Sequence, residues 1–474
     1  MGFLHAFAKI AKLIPTAPTP ERRVDLREKM LWTGLALTVY LLMSVTPIYG
    51  IAITPAQDPF FFARIIFASK HGTLMELGIG PIVTAGLIMQ LLVGSKMLKI
   101  DLSDPSDRAA FTGAQKALAV IITAVEAITF IAGGLYGGIA NDLNLAALVF
   151  IQLFIAGLIV ILLDEMVQKG WGLGSGVSLF IAAGVAQQIA WQSFSPFPFG
   201  RDQMALGAVL AFTQYLLSGK PFLDAFLRIS EVEGKTLPLT PNMLGFISMI
   251  AVFIVIYYAD ILRVEIPVVY HRYRGLQAKI PLKFLYVSNI PVILASALFA
   301  NIHFFARLLY NRDPNNFWVR LIAHYSEQNQ PLPSLVYYIT PPQGLADVLE
   351  DPWRALVYSL LLIALCVVFA ITWVEASGMS ARDQAKQLID AGLSIPGFRS
   401  SQKIIERMLE KYISALTIIS GFVVGVLAAV ADVLGVIGTG IGILLTVSII
   451  NQYYELLLRE QILEVYPSLR RIFE

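Results

Sequence analysis

Apolar residues along the chain gather into ten runs, at 30–49, 73–93, 115–135, 145–163, 173–191, 243–261, 284–305, 353–374, 412–434 and 438–457. A helix rises 1.5 Å per residue, so about 20 such residues cross the hydrocarbon core of a bilayer. The ten-residue alternating segments of a membrane barrel are absent. The pattern predicts an all-α polytopic membrane protein with ten transmembrane helices. Five runs precede the polar stretch 192–242 and five follow it. Five crossings per half force the halves into opposite orientations, which predicts two inverted pseudo-repeats with the working passage at their interface.

Two runs in corresponding places of the halves read alike. One is Met75-Glu-Leu-Gly-Ile-Gly-Pro-Ile-Val-Thr-Ala-Gly-Leu-Ile-Met-Gln-Leu-Leu92. The other is Tyr286-Val-Ser-Asn-Ile-Pro-Val-Ile-Leu-Ala-Ser-Ala-Leu-Phe-Ala-Asn-Ile302. Pro81 and Pro291 stand about one turn into each, and are expected to break the helix there. Such breaks persist at membrane depth only against protein or a water-filled cavity. Between the first two runs lies Asp58-Pro-Phe-Phe-Phe-Ala-Arg-Ile-Ile-Phe-Ala-Ser-Lys70. Asp58 suits an N-cap and Pro59 a first helical residue. Phe60, Phe61, Phe62, Ala63, Arg64, Ile65, Ile66 and Phe67 complete a helix half a membrane long. It reads either as an interfacial helix among headgroups or as a re-entrant piece that stoppers a cavity. The phenylalanines favour burial, while Arg64 and Lys70 want water at one end. Residues 205–217 are apolar but too short to span, and are expected to form an interfacial helix.

Composition agrees with this class. The chain has 474 residues, 57% hydrophobic and only 14% charged, with a mean hydropathy of +0.69; soluble domains carry about 25% charge. Net charge is +2, so placement matters more than sum. Lysine and arginine crowd the N-terminal segment and the loops after the second, sixth and eighth runs, and are absent from the short turns 136–144 and 435–437. Short-loop basic residues mark the cytoplasmic side. Both termini and all the basic loops are therefore expected in the cytoplasm, on a chain in the cell (plasma) membrane. No cleavable leader is expected, since the N-terminus is basic and lacks an apolar stretch before the first run. The one cysteine, Cys366, sits in an apolar run and reads as a small buried hydrophobe.

Candidate chemistry is sparse. Ile79 and Val83 share one helix face, as do Val177 and Ile181, each pair four residues apart. Ile293 follows Pro291 by two, and Leu445 lies in the Gly-rich tenth run. Aliphatic residues are ordinary in a membrane helix, but each of these neighbours a Gly or Pro break. A narrow waist lined by branched aliphatics would seal by dewetting and offer no bonds that arrest a passing chain. Three polar groups, Thr84, Glu126 and Asn301, stand inside runs. A carboxylate at membrane depth is a functional candidate, and Thr84 and Asn301 are available as partners for Glu126; interhelical hydrogen bonding that simply packs helices is the other reading. Loops 263–283 and 377–411 hold eleven lysines and arginines, among them Arg272, Arg274 and Arg399. They read as topology and anionic-lipid signals or as a docking platform for an anionic partner. Neither HExxH nor a His/Cys ligand cluster occurs, and the GxxxxGK[ST] nucleotide loop is missing, so neither enzymatic chemistry nor a cofactor is expected, and energy must come from a partner. An inverted-repeat secondary transporter is the rival; it needs a polar coordination site at the midplane, for which Glu126 alone is thin. An intramembrane protease fails for want of a catalytic pair.

The motifs around Gly78–Leu92 and Tyr286–Ile302, with Asp164-Glu165, Gly174-Ser-Gly176, Arg263-Val-Glu-Ile-Pro267, Pro396-Gly-Phe-Arg399 and Leu444-Leu-Thr-Val-Ser-Ile449, resemble the SecY family, the pore subunit of the Sec protein-conducting channel, in its archaeal form. The resemblance covers nearly the whole chain and is weakest in the two long outer loops. It implies an hourglass pore in a clam-like bundle with Pro59–Lys70 as plug. Ile79, Val83, Val177, Ile181, Ile293 and Leu445 fall where the family keeps its pore ring. Thr84, Glu126 and Asn301 match the polar cluster of a lateral gate, whose lips are the second and seventh spans. Arg272, with Arg274 beside it, and Arg399 match arginines that meet ribosomes. A SecE-like gamma subunit and a small beta subunit would complete a heterotrimer that takes signal sequences and nascent polypeptides and releases helices to membrane lipids. The implied organisation is a cytoplasmic segment 1–29, a first half 30–191 with plug 59–70, an external loop and hinge 192–242, a second half 243–458 with cytoplasmic loops 263–283 and 377–411, and a tail 459–474.

Overall fold

The computed structural model describes residues 14–22, 24–51, 68–94, 105–132, 136, 142–199, 204–232, 235–238, 241–270, 277–325, 332–390, 393–394 and 402–465. Ten long helices form the bundle: α1 Leu26–Val45, α2 Gly80–Gly94, α3 Pro105–Ala132, α4 Leu143–Met166, α5 Gly176–Phe194, α6 Met243–Ile261, α7 Ile290–Arg312, α8 Pro352–Ala376, α9 Gln402–Val433 and α10 Gly440–Val465. They match the ten apolar runs, five in each half. Among the described residues, seven of these helices are long and apolar enough to cross a membrane unaided. The other three are α1, which opens in charge at Arg27, Glu28 and Lys29, the glutamine-rich α5, and the short α2.

The expectation that Pro81 and Pro291 break helices is corrected by the structure. Each is the second residue of its helix, where a missing N–H costs nothing because no intrahelical partner exists there. The prolines start α2 and α7. The described part of α2 has 15 residues, about 22 Å, and its first residue, Gly80, is buried in the bundle. The chain reaches that point as irregular backbone that is nearly all buried from Gly72 to Pro81. Its polar groups are met by protein: Ile48 N donates to Gly72 O at 2.9 Å, Leu74 N to Thr46 O at 3.0 Å and Glu76 N to Thr73 O at 2.9 Å. Such satisfaction is the condition for non-helical backbone at membrane depth.

The approaches to α2 and α7 share a backbone device. Three residues before each proline stands a left-handed residue, Gly78 (φ 56°) and Ser288 (φ 54°). Two residues beyond each proline, Val83 N donates to Ile79 O at 3.1 Å and Ile293 N to Asn289 O at 3.2 Å. The likeness of the two sequences is therefore a likeness of structure.

A second pair of matched contacts ties the fourth helix of each half to the fifth. Asp164, near the end of α4, accepts from Val177 N of α5 at 2.9 Å and from Gln168 Nε2 at 2.8 Å. Asp432, at the end of α9, accepts from Gly440 N of α10 at 2.9 Å and from Tyr358 Oη of α8 at 2.9 Å. Asp432 sits inside the ninth apolar run and was not among the sequence candidates, although a carboxylate there carries the same signal as Glu126. Close packing of α8 on α9 comes from Gly421 and Gly425, a small-xxx-small stripe: a Cβ at Gly421 would meet Cys366 O at 2.9 Å, and one at Gly425 would meet Ile363 Cα at 2.9 Å. Cys366 is buried there.

Ion pairs gather one end of the bundle. Lys29 of α1 meets Glu460 of α10 at 2.7 Å, and Glu455 of α10 meets Arg263 at 3.2 Å and Lys283 at 3.3 Å. The two basic loops, separate in the sequence, join in one sheet there. Strands β1 Arg263–Tyr270 and β2 Gln277–Lys283 form an antiparallel hairpin, and β3 Leu393–Ser394 pairs with the far end of β1. At the other end, the apolar stretch expected from residue 205 is a helix over Ala208–Leu217, with Ala208, Ala211 and Tyr215 buried.

Replacing Asp432 with alanine leaves the Gly440 amide and the Tyr358 hydroxyl buried without partners. This change is expected to destabilise the protein by about 1–3 kcal/mol per stranded group, read as a lower midpoint of thermal unfolding of the purified protein in detergent. An unchanged midpoint would show that the tie is not structural.

The waist of the bundle and its lips

Four helices carry the six aliphatic candidates at or near their starts. Ile79 is the last residue before α2 and Val83 lies one turn into it. Val177 and Ile181 occupy the first turns of α5, Ile293 the first turn of α7, and Leu445 the second turn of α10. All six belong to the largest hydrophobic cluster, in which Ile79, Ile181 and Leu445 are buried and Val83, Val177 and Ile293 are partly exposed. Both halves contribute, and the six side chains carry only hydrocarbon.

The stretch that would form the plug, Pro59, Phe60, Phe61, Phe62, Ala63, Arg64, Ile65, Ile66 and Phe67, lies outside the described residues. Its trailing end does not. Ala68 is buried in the same cluster, and its carbonyl accepts from Tyr40 Oη of α1 at 3.1 Å. The Tyr40 ring stacks on Phe180 of α5 at 5.0 Å. Just past Lys70 the chain turns around Glu76, whose buried carboxylate accepts from Gly72 N and lies 3.1 Å from His71 Nδ1. None of Tyr40, Phe180 or Glu76 stands out in the sequence as a candidate. Glu76 carried the available signal, as a carboxylate inside an apolar run.

Across the seam between the halves, α2 packs on α7 and α8. The polar groups expected to join there behave differently from the expectation. Asn301 Nδ2 donates to Ala297 O of its own helix at 2.9 Å, and the buried Thr84 hydroxyl has no partner among the described residues. Neither bonds to Glu126, so the structure does not link the three by hydrogen bonds. Arg272, Arg274 and Arg399 lie outside the described residues. Their neighbours reduce the charge on offer: Lys279 pairs with Glu265 at 2.6 Å, and Arg263 and Lys283 are taken by Glu455. Three of the five basic residues of loop 263–283 are thus occupied within the fold, and Arg272 and Arg274 are the other two.

The profile of the SecY family matches residues 73–454. The chain belongs to the SecY family. The plug domain of Sec61p matches residues 39–72, so the Tyr40–Ala68 contact lies within the segment that aligns with that domain. A protein translocase subunit SecY of Aeropyrum pernix is 41% identical over 100% of this chain and 99% of its own length. A solved protein conducting channel is 41% identical with a TM-score of 0.80, over 97% of this chain and 98% of that one. Sec61 in the canine ribosome-channel complex from the endoplasmic reticulum is 40% identical with a TM-score of 0.78, over the same shares. For a SecY-family chain, the matched starts of α2 and α7 are the structural expression of its two halves.

Lining of the passage by the six aliphatic side chains predicts that asparagine in place of Ile79 or Ile293 favours wetting. The resting channel in planar bilayers is then expected to conduct ions above the level of the unsubstituted protein. Equal conductance would remove these two residues from the seal.

Proposed function

We propose that this chain is the pore-forming subunit of a protein-conducting channel, which passes unfolded polypeptide across the membrane and releases apolar helices sideways between α2 and α7. The observation that carries this reading is that Ile79, Val83, Val177, Ile181, Ile293 and Leu445, at or near helix starts from both halves, belong to one apolar cluster, read here as the waist of the passage. A ring of hydrocarbon excludes ions by dewetting while forming no bonds to a moving chain. A solute transporter needs the opposite, a fixed polar site at this depth, so the transporter reading is not favoured.

In this reading the segment Pro59–Lys70 closes the waist as a plug, held at its trailing end by Tyr40, and Thr84, Glu126 and Asn301 line the lateral gate. A signal sequence biases the gate by binding the open form better than the closed one. The pore is passive, and the push comes from a partner. Sec61 stands in a ribosome-channel complex, and a ribosome is the partner proposed here, docked on Arg272, Arg274 and Arg399. A SecE-like gamma subunit and a small beta subunit complete the heterotrimer. The ion pairs hold the ends of α1 and α10 beside the basic loops, which supports both termini lying on the cytoplasmic side; the membrane proposed is the cell membrane.

Changing Arg399 to glutamate is expected to weaken binding to ribosomes by roughly tenfold or more, about 1.4 kcal/mol, and to flatten the salt dependence of binding. Cosedimentation of reconstituted protein with ribosomes over a salt series reads this. Unchanged binding at every salt concentration would remove Arg399 from the docking surface.

A further inference from the structure

Beyond α7 the chain does not leave the membrane surface at once. Helix α7 has 23 residues, about 34 Å by its rise, enough to cross a hydrocarbon core of about 30 Å. Its end at Arg312 is followed by a turn and a six-residue helix, Phe317–Ile322. Asn316 caps that helix by accepting from Trp318 N at 3.0 Å. The segment then folds back along α7. Ile322, Ala323 and Tyr325 pack with Ala306 and Tyr310 of α7. Tyr310 Oη donates to Tyr325 O at 3.0 Å, and the Arg307 guanidinium sits 4.4 Å from the centre of the Tyr325 ring.

Those contacts fix a depth. Ala306 and Tyr310 lie six and two residues before the end of α7, about 9 and 3 Å back along its axis. The returning chain is therefore held level with the last turns of a membrane-crossing helix. On those turns Phe305 and Leu309 are exposed, which on a membrane span means a stripe toward lipid. The short helix extends that stripe. Its inner side is held through Ile322, whereas Phe317, Trp318 and Leu321 are 71%, 70% and 57% exposed. Phe317 and Leu321 are four residues apart and Trp318 and Leu321 three, so Leu321 shares a face with each of the two rings. Arg312 and Arg320 flank the face and are also exposed, with Arg320 Nε bonded to Pro314 O at 2.9 Å. An aromatic and aliphatic face bordered by arginines is the composition of the headgroup–acyl boundary, where amphipathic rings settle and cations meet lipid phosphates.

We propose that helix Phe317–Ile322 is a lipid anchor, seated at the membrane interface on the side where α7 ends, with Phe317, Trp318 and Leu321 in the acyl boundary. The partner is the lipid surface itself. Its placement rests on α7 crossing the membrane and is independent of what the channel conducts; within the channel reading, it holds one lip of the gate to that leaflet.

The test uses the complete complex in proteoliposomes, in a Cys366→Ala background, with a spin label at one of six single cysteines: F317C, W318C, L321C, N315C, F305C or L309C. Collision rates with oxygen, which concentrates in lipid, and with a water-soluble nickel chelate give the depth of each label. Labels at 317, 318 and 321 are expected to show an oxygen-to-nickel ratio well above that at 315 and approaching those at 305 and 309. A ratio equal to that at 315 would place the helix in water and overturn the proposal. Shielding from both agents would mean that protein covers the face, a small subunit or a second copy, and would overturn it as well. Loss of channel activity in a labelled variant leaves the depth reading intact, so failure of the anchor and failure of the channel reading are told apart.

Discussion

Backbone polar groups at membrane depth must find protein partners, and the architecture around the waist follows from how this chain meets that requirement. A helix meets it alone. The stretch from Ala68 to Ile79 does not, and it is tolerated because Thr46, Ile48 and its own turns supply the missing bonds and because it is largely buried in the bundle. That solution lets α2 begin inside the bundle. The corresponding stretch before α7 has a left-handed residue and an early proline at the same spacing. Two helices from opposite halves thus begin on the same backbone pattern, and the aliphatic residues at their starts fall in one hydrophobic cluster.

Polar residues at depth accordingly have separate tasks. Asp164 and Asp432 bind the starts of α5 and α10 to the preceding helices, so the other two contributors to the waist are fixed as firmly as the backbone device fixes α2 and α7. Glu76 shapes the turn behind the plug segment, and Tyr40 holds the end of that segment by one hydroxyl. Specific polar bonds thus surround the waist, while the six side chains at the waist make none. That division suits a passage that must be positioned accurately and yet must grip nothing. The seam between the halves differs again: α2 lies against α7 and α8, and the Thr84 hydroxyl stays unbonded among the described residues. A seam that has to part gains from few directed bonds.

The ten helices and their pairing into halves are legible in the sequence because a bilayer imposes a length and an apolar composition on each crossing. The six aliphatic residues proposed for the waist are legible as candidates because they stand beside proline or glycine breaks. What the prolines do is not legible: sequence alone does not say whether a proline ends, kinks or begins a helix, and here the irregular buried approach decides it. The joining of the basic loops is hidden, since β3 pairs with β1 across more than a hundred residues with only two residues of its own. Counting the charges of loop 263–283 overstates its docking surface, because the acid that neutralises Arg263 and Lys283 sits far away on α10. Asp432 is visible as an acid in an apolar run, but its partners, a glycine amide and a tyrosine on another helix, carry no sequence signal.

Everything said of the waist comes down to whether polypeptide passes through it. The direct test places a photoreactive amino acid at Ile293, in membranes holding the complete complex, and adds a ribosome-bound nascent chain stalled after a signal sequence. A passage through the waist requires a crosslink between the two that disappears when the signal sequence is disabled. No crosslink from Ile293, nor from Ile79, Val83, Val177, Ile181 or Leu445, would contradict it.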